Sequence, residues 1–182
     1  MDVLLLCTAN ICRSPMAEAL LRQKLADAGV DARVHSAGLF DDDGRPASDD
    51  GVAVMADRGL DTSQHRSRRM TSEMLEQADL VIGMAREHVR EAVLAAPDIW
   101  TRTYTLKELV RRATDVGPRA AGQAMDEWLP KVHAGRTRND LLGSSEADDV
   151  ADPIGQPRAV YERTADELDR LTTRLTSLIR GV

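Results

Sequence analysis

Cys7 and Arg13, a thiol and a guanidinium with five residues between them, are the pair in this sequence best suited to covalent chemistry. A thiolate is a strong nucleophile, and a guanidinium offers a fork of donors that matches two oxygens of a phosphoryl group. The stretch that carries them, CTANICRSP, follows an apolar run at 3–6 and precedes an Ala- and Leu-rich segment with helical spacing. The loop therefore joins a buried strand to a helix N-terminus, where unpaired N–H groups and the helix dipole favour an anion. Asn10 can brace the loop with its amide, Ser14 can donate to the sulfur, and Pro15 suits the first helical position. A Cys ending a strand is more often an inert small hydrophobe. Here the cation, the brace and the strand-to-helix junction coincide with it.

The rest of the chain reads as the scaffold for this loop. Strands are expected at 1–6, 31–36, 79–84 and 99–106, and helices at 14–28, 51–58, 71–77, 87–95 and 107–113. A final helix carries Val160, Leu168, Leu171, Leu175 and Leu178 on one face. Strands alternating with helices imply an α/β fold: a four-stranded parallel sheet flanked by helices on both faces, with the phosphate-binding loop after strand 1. Ligands of such sheets sit at the carboxyl ends of the strands, where Cys7 lies. The 41–50 segment is a turn-rich acidic loop. Residues 114–150 form an excursion with one short helix around Met125, Trp128, Leu129 and Val132, within a single domain of residues 1–182.

Composition narrows the class. The 182 residues carry a net charge of −6, which argues against a general nucleic-acid binder. No apolar run is long enough to span a bilayer, and no leader pattern opens the sequence, so no membrane association is expected. The two Cys both lie in the loop, too few for a disulfide framework. Free thiols suit the reducing cytoplasm, the expected location. The four His are scattered, so neither a metal nor another cofactor is expected.

The loop resembles that of the low-molecular-weight protein-tyrosine-phosphatase family, whose pattern is C-x-x-N-x-C-R-S-P. The resemblance implies that Cys7 attacks phosphorus and that Arg13 and the N–H groups of Thr8, Ala9, Asn10, Ile11 and Cys12 hold the phosphoryl oxygens. It implies a phosphorylated protein as substrate and inorganic phosphate as product. The family carries an Asp-Pro shortly before the last helix, and Asp152-Pro153 stands there as general acid and then base. Ser36 in HSAG and His65 in GLDTSQHRSR fall where the family places polar residues that hydrogen-bond Asn10.

The sequence also departs from the tyrosine-specific members, which line the cleft with aromatics. Only Phe40 is near the acidic loop, and Ile154 and Gly155 follow Asp152-Pro153. The segments DDVADPIGQPRAVYERTADEL and YTLKELV resemble the bacterial branch that includes protein-arginine phosphatases. That branch has a polar Thr where Ile11 stands, whereas an aliphatic residue is what the tyrosine branch has. Phosphotyrosine hydrolysis is the leading expectation and phosphoarginine hydrolysis the alternative. Arsenate reduction would need redox cysteines beyond Cys12, and the sequence has none. A non-catalytic phosphate-binding module would not need Cys7, Arg13 and Asp152 together.

Overall fold

The apolar run after Met1 forms strand β1 (Asp2–Cys7), whose side chains alternate between two cores in the computed structural model, which describes residues 1–40 and 43–181. Val3, Leu5 and Cys7 face one core and Leu4 and Leu6 the other, because successive strand side chains point to opposite faces. With β2 (Arg33–Gly38), β3 (Leu80–Gly83) and β4 (Thr103–Thr105) it forms one parallel sheet in the order β2-β1-β3-β4. Cys7 pairs with Gly38, Leu6 with Gly83, and Gly83 with Thr105, so these residues share the carboxyl edge.

Helices cover both faces, as the alternation of elements implies. On the Val3 and Leu5 side lie α1 (Arg13–Asp27), α2 (Asp49–Ala56), α5 (Leu106–Val116), α6 (Met125–His133) and α7 (Arg158–Ile179). On the Leu4 and Leu6 side lie α3 (Ser72–Gln77) and α4 (Arg86–Ala95), packed through Leu75 and Ala92. Helix α1 buries Met16, Leu20, Leu21 and Leu25 against β1 and α7. Each such side chain contributes about 1.5–3 kcal/mol by leaving water. Leu168, Leu171, Leu175 and Leu178 of the expected α7 stripe pack into the core, and Tyr161 and Ala165 take the N-terminal part of it in place of Val160.

Two local expectations need correction. The strand expected over 99–106 is confined to Thr103–Thr105. Pro97 opens a 3₁₀ turn over Pro97–Arg102, and the Thr105 side chain accepts the Glu108 N–H at 3.1 Å, capping α5 immediately after the strand. Helix α1 begins at Arg13, so Pro15 is its third residue and not its first. A proline is still tolerated there, since first-turn N–H groups have no intrahelical acceptor.

The excursion is tied to the main body at several points. Trp128 of α6 is 1% exposed and donates to the Gly117 carbonyl at 3.2 Å. The Arg136 guanidinium lies 3.9 Å from the Trp100 ring centre and 4.0 Å from that of Tyr104. It donates to both carboxylate oxygens of Glu108, at 2.7 and 3.0 Å, and to the Thr103 carbonyl at 2.8 Å. Among the described residues no helix is long and apolar enough to cross a membrane. Asp41 and Asp42 of the acidic loop lie outside the described residues; Asp43 accepts the Arg69 N–H at 2.6 Å.

Candidate active site

The loop between β1 and α1 is held open by its own polar side chains. Asn10 adopts a left-handed backbone conformation (φ 54°), which Asn tolerates better than most residues. Its amide donates to Ser14 Oγ at 2.9 Å and Ser36 Oγ at 2.8 Å, and its side-chain oxygen accepts the Arg68 N–H at 3.0 Å. His65 Nε2 donates to the Asn10 carbonyl at 2.7 Å. The Ser36 hydroxyl in turn donates to Glu18 Oε2 at 2.5 Å. Each bond on Asn10 offsets its burial, since it is fully enclosed.

This bracing determines what reaches the sulfur. Ser14 Oγ accepts from Asn10 and lies 3.0 Å from Cys7 Sγ, so its hydroxyl proton is free to donate to a thiolate. Helix α1 has no side-chain cap and no acidic residue in its first turn, leaving its N-terminal donors for an anion. Gly38 permits the close approach: a Cβ there would lie 3.0 Å from backbone atoms of Thr8, Ala9 and Asn10. The neighbouring Leu39 and Phe40 N–H groups donate to the Thr8 carbonyl at 2.9 and 3.1 Å.

Arg13 is 6% exposed and reaches across the loop mouth. Nη1 donates to the Val150 carbonyl at 3.2 Å, while Nη2 donates to Thr8 Oγ1 at 3.1 Å and to Asp152 Oδ2 at 2.5 Å. Nε is buried without a partner, which is what a guanidinium waiting for an oxyanion would present. Asp152 is delivered by a firmly anchored strap. Asp148 accepts from Arg86 and Arg111, Asp149 accepts the Arg86 N–H, and the Val150 N–H donates to the Met84 carbonyl at 2.7 Å. Burial alone would raise the Asp148 carboxyl, but the two arginines hold it below its ordinary value. Asp152 Oδ1 accepts the Ile154 N–H at 3.2 Å, a turn that fixes the carboxylate after Pro153.

These groups meet in a cavity of about 290 Å³ lined by Cys7, Thr8, Ala9, Ile11, Cys12, Arg13, Phe40, Arg45, Asp152 and Ile154. Phe40 and Ile154 are exposed at its rim, 59% and 49%, so the wall after Pro153 is aliphatic. Asn10 and Ser14, expected among the substrate-binding residues, do not line it. Their side chains lie behind the loop and support it, as do those of Ser36 and His65. Cys12 donates to Ser48 Oγ at 3.2 Å and lies 3.5 Å from the Tyr161 hydroxyl. Burial raises its thiol above the ordinary value, a poor setting for a second nucleophile. Among the described residues no three of His, Cys, Asp and Glu gather as a metal site.

Sequence reasoning missed Arg45, Arg68, Val150 and His88. Arg68 and Val150 act through backbone groups, which carry no residue-type signal. His88 is 1% exposed and its Nε2 lies 3.1 Å from Thr8 Oγ1. Its i, i+3 and i, i+4 neighbours on α4 gave no reason to separate it from a core histidine.

Known proteins are similar to this chain over most of its length. A Geobacillus stearothermophilus protein-arginine-phosphatase is 32% identical, over 98% of this chain and 95% of its own. The low molecular weight protein-tyrosine-phosphatase Etp of Escherichia coli K12 is 31% identical, over 72% of this chain and 94% of its own. A solved low molecular weight protein tyrosine phosphatase from T. tengcongensis superposes with a TM-score of 0.73 at 35% identity, covering 96% of this chain and 97% of that one. Residues 2–117 match the model of the low molecular weight phosphotyrosine protein phosphatases, and the chain belongs to that family.

Proposed function

We propose that the protein hydrolyses phosphotyrosine in protein substrates through a cysteinyl-phosphate intermediate on Cys7, and that residues 1–182 work as one catalytic unit with the 114–150 excursion as an appendage. The observation that carries the reading is the convergence of Cys7, Arg13 and Asp152 on one cavity. The Cys7 thiolate attacks phosphorus in line while Arg13 and the loop N–H groups take the equatorial oxygens. The S–P bond forms as the ester P–O bond breaks, and Asp152 gives its proton to the leaving oxygen. Asp152 then removes a proton from water, which cleaves the S–P bond and releases inorganic phosphate.

Preference for an aryl ester is supported by the apolar cleft. Ile11, Phe40 and Ile154 line it, and Asp152, the one carboxylate among the described lining residues, is turned to Arg13. A guanidinium beside Ile11 would leave a donor unpaired, at about 1–3 kcal/mol. Phosphoarginine is the second reading, favoured by the match of a protein-arginine-phosphatase over 98% of this chain. Hydrolysis of phosphotyrosine and phosphoarginine peptides, with Ile11→Thr alongside, separates them. Higher kcat/KM on phosphotyrosine is expected, with Ile11→Thr shifting the ratio towards phosphoarginine. A wild type that prefers phosphoarginine would replace the first reading by the second.

A further inference from the structure

Thr8 Oγ1 stands between two groups, 3.1 Å from Arg13 Nη2 and 3.1 Å from His88 Nε2. A guanidinium can only donate, so one Thr8 lone pair is committed to Arg13. The bond to His88 then fixes the hydroxyl's remaining freedom, whichever ring tautomer is present. His88 sits on the first turn of α4, and Gly83 makes room for it: a Cβ at Gly83 would lie 3.0 Å from His88 Cβ. The other ring nitrogen, Nδ1, is buried with no partner. A half-satisfied buried imidazole costs stability that an apolar residue would not. The hydrogen bond it does make runs to the phosphate loop.

We propose that His88 is a positioning residue for the phosphate-holding arginine, acting through Thr8: the imidazole fixes the Thr8 hydroxyl, and Thr8 fixes the plane of the Arg13 guanidinium. The proposal rests on the phosphatase reading above. Of the three groups that hold the Arg13 fork, Asp152 must release Nη2 to protonate a leaving group, whereas Thr8 and the Val150 carbonyl remain. Burial, and next the charge of Arg13, push the His88 pKa down to about 3, so no second cation competes with Arg13 near neutral pH.

The test compares two neutral amides of different reach. The Gln side chain in His88→Gln places its amide near the position of Nε2, whereas the Asn side chain in His88→Asn reaches only as far as Nδ1. Both are combined with Thr8→Val. The readouts are the dissociation constant of inorganic phosphate, kcat/KM on p-nitrophenyl phosphate, and the melting temperature as a control for folding. His88→Asn is expected to weaken phosphate binding and lower kcat/KM by about 10-fold, the scale of one lost hydrogen bond to a charged network. His88→Gln recovers most of both. Thr8→Val/His88→Asn is no worse than Thr8→Val alone, because both act through one bond. Losses that multiply in the double variant, or wild-type phosphate affinity in His88→Asn, would overturn the proposal. A wild type that binds phosphate without hydrolysing the ester defeats the phosphatase reading instead, and the binding constants still decide the role of His88.

Discussion

Arg13 Nη2 and Asp152 Oδ2 lie 2.5 Å apart, so the cation and the acid that a phosphate ester must meet are paired with each other. An arriving phosphoryl group exchanges one anion for another at Nη2 and gains the unpartnered Nε as a further donor. Asp152→Asn removes both the proton donor and the competing carboxylate. The kcat/KM is expected to fall by about 10²- to 10⁴-fold for poor leaving groups and much less for good ones, which hardly need the proton for formation of the cysteinyl-phosphate. Affinity for inorganic phosphate is expected to hold or rise. An equal loss of kcat/KM across a series of leaving groups would mean that Asp152 acts structurally.

Acid sensitivity follows from the buried histidines. Burial lowers His35, His65 and His88 below the ordinary histidine value of 6.5, His88 to about 3. Below pH 6.5 the unfolded chain takes up protons that these residues refuse when folded. Stability is therefore greatest above that pH and falls on acidification, for His88 down to about pH 3. One such histidine contributes a slope of up to about 1.4 kcal/mol per pH unit. Denaturant melts between pH 7 and pH 4 are expected to have a shallower slope in His88→Gln, which cannot titrate. An unchanged slope would contradict the assignment of a neutral buried His88.

The link between the excursion and the main body is a buried ion pair. Arg136→Met leaves Glu108 enclosed and unpaired, and breaking one side of such a pair costs about 3–5 kcal/mol. Glu108→Gln in the same background is expected to restore part of that loss. Chemical denaturation measures both variants. A single-variant loss below about 1 kcal/mol would show that the pair does not tie the excursion down.

The phosphate loop was legible because its signals are local: a strand, a fixed spacing and a helix start within a few residues. The parallel sheet and its two-sided helical cover also follow from the alternation of elements; the strand order β2-β1-β3-β4 is set by tertiary pairing. What escaped depends on tertiary contact. The strand at 99–106 shrank because Pro97 and the Thr105 cap took its two ends into helical turns. The buried role of Arg136 is set by Trp100, Tyr104 and Glu108, which are distant in sequence. Asp148 and Asp149, close to Asp152 in sequence, turn inward to Arg86, leaving Asp152 to face the loop.

The covalent role of Cys7 is tested most directly by trapping its adduct. Asp152→Asn mixed with p-nitrophenyl phosphate forms the intermediate readily, since the leaving group is good, but lacks the base for its hydrolysis. Acid quenching and peptide mass spectrometry are expected to find one phosphoryl group on Cys7 and none on Cys12. Cys7→Ser, tested in parallel, is expected to bind inorganic phosphate yet turn over no ester. Turnover by Cys7→Ser, or an active enzyme that never carries phosphate on Cys7, would contradict the account.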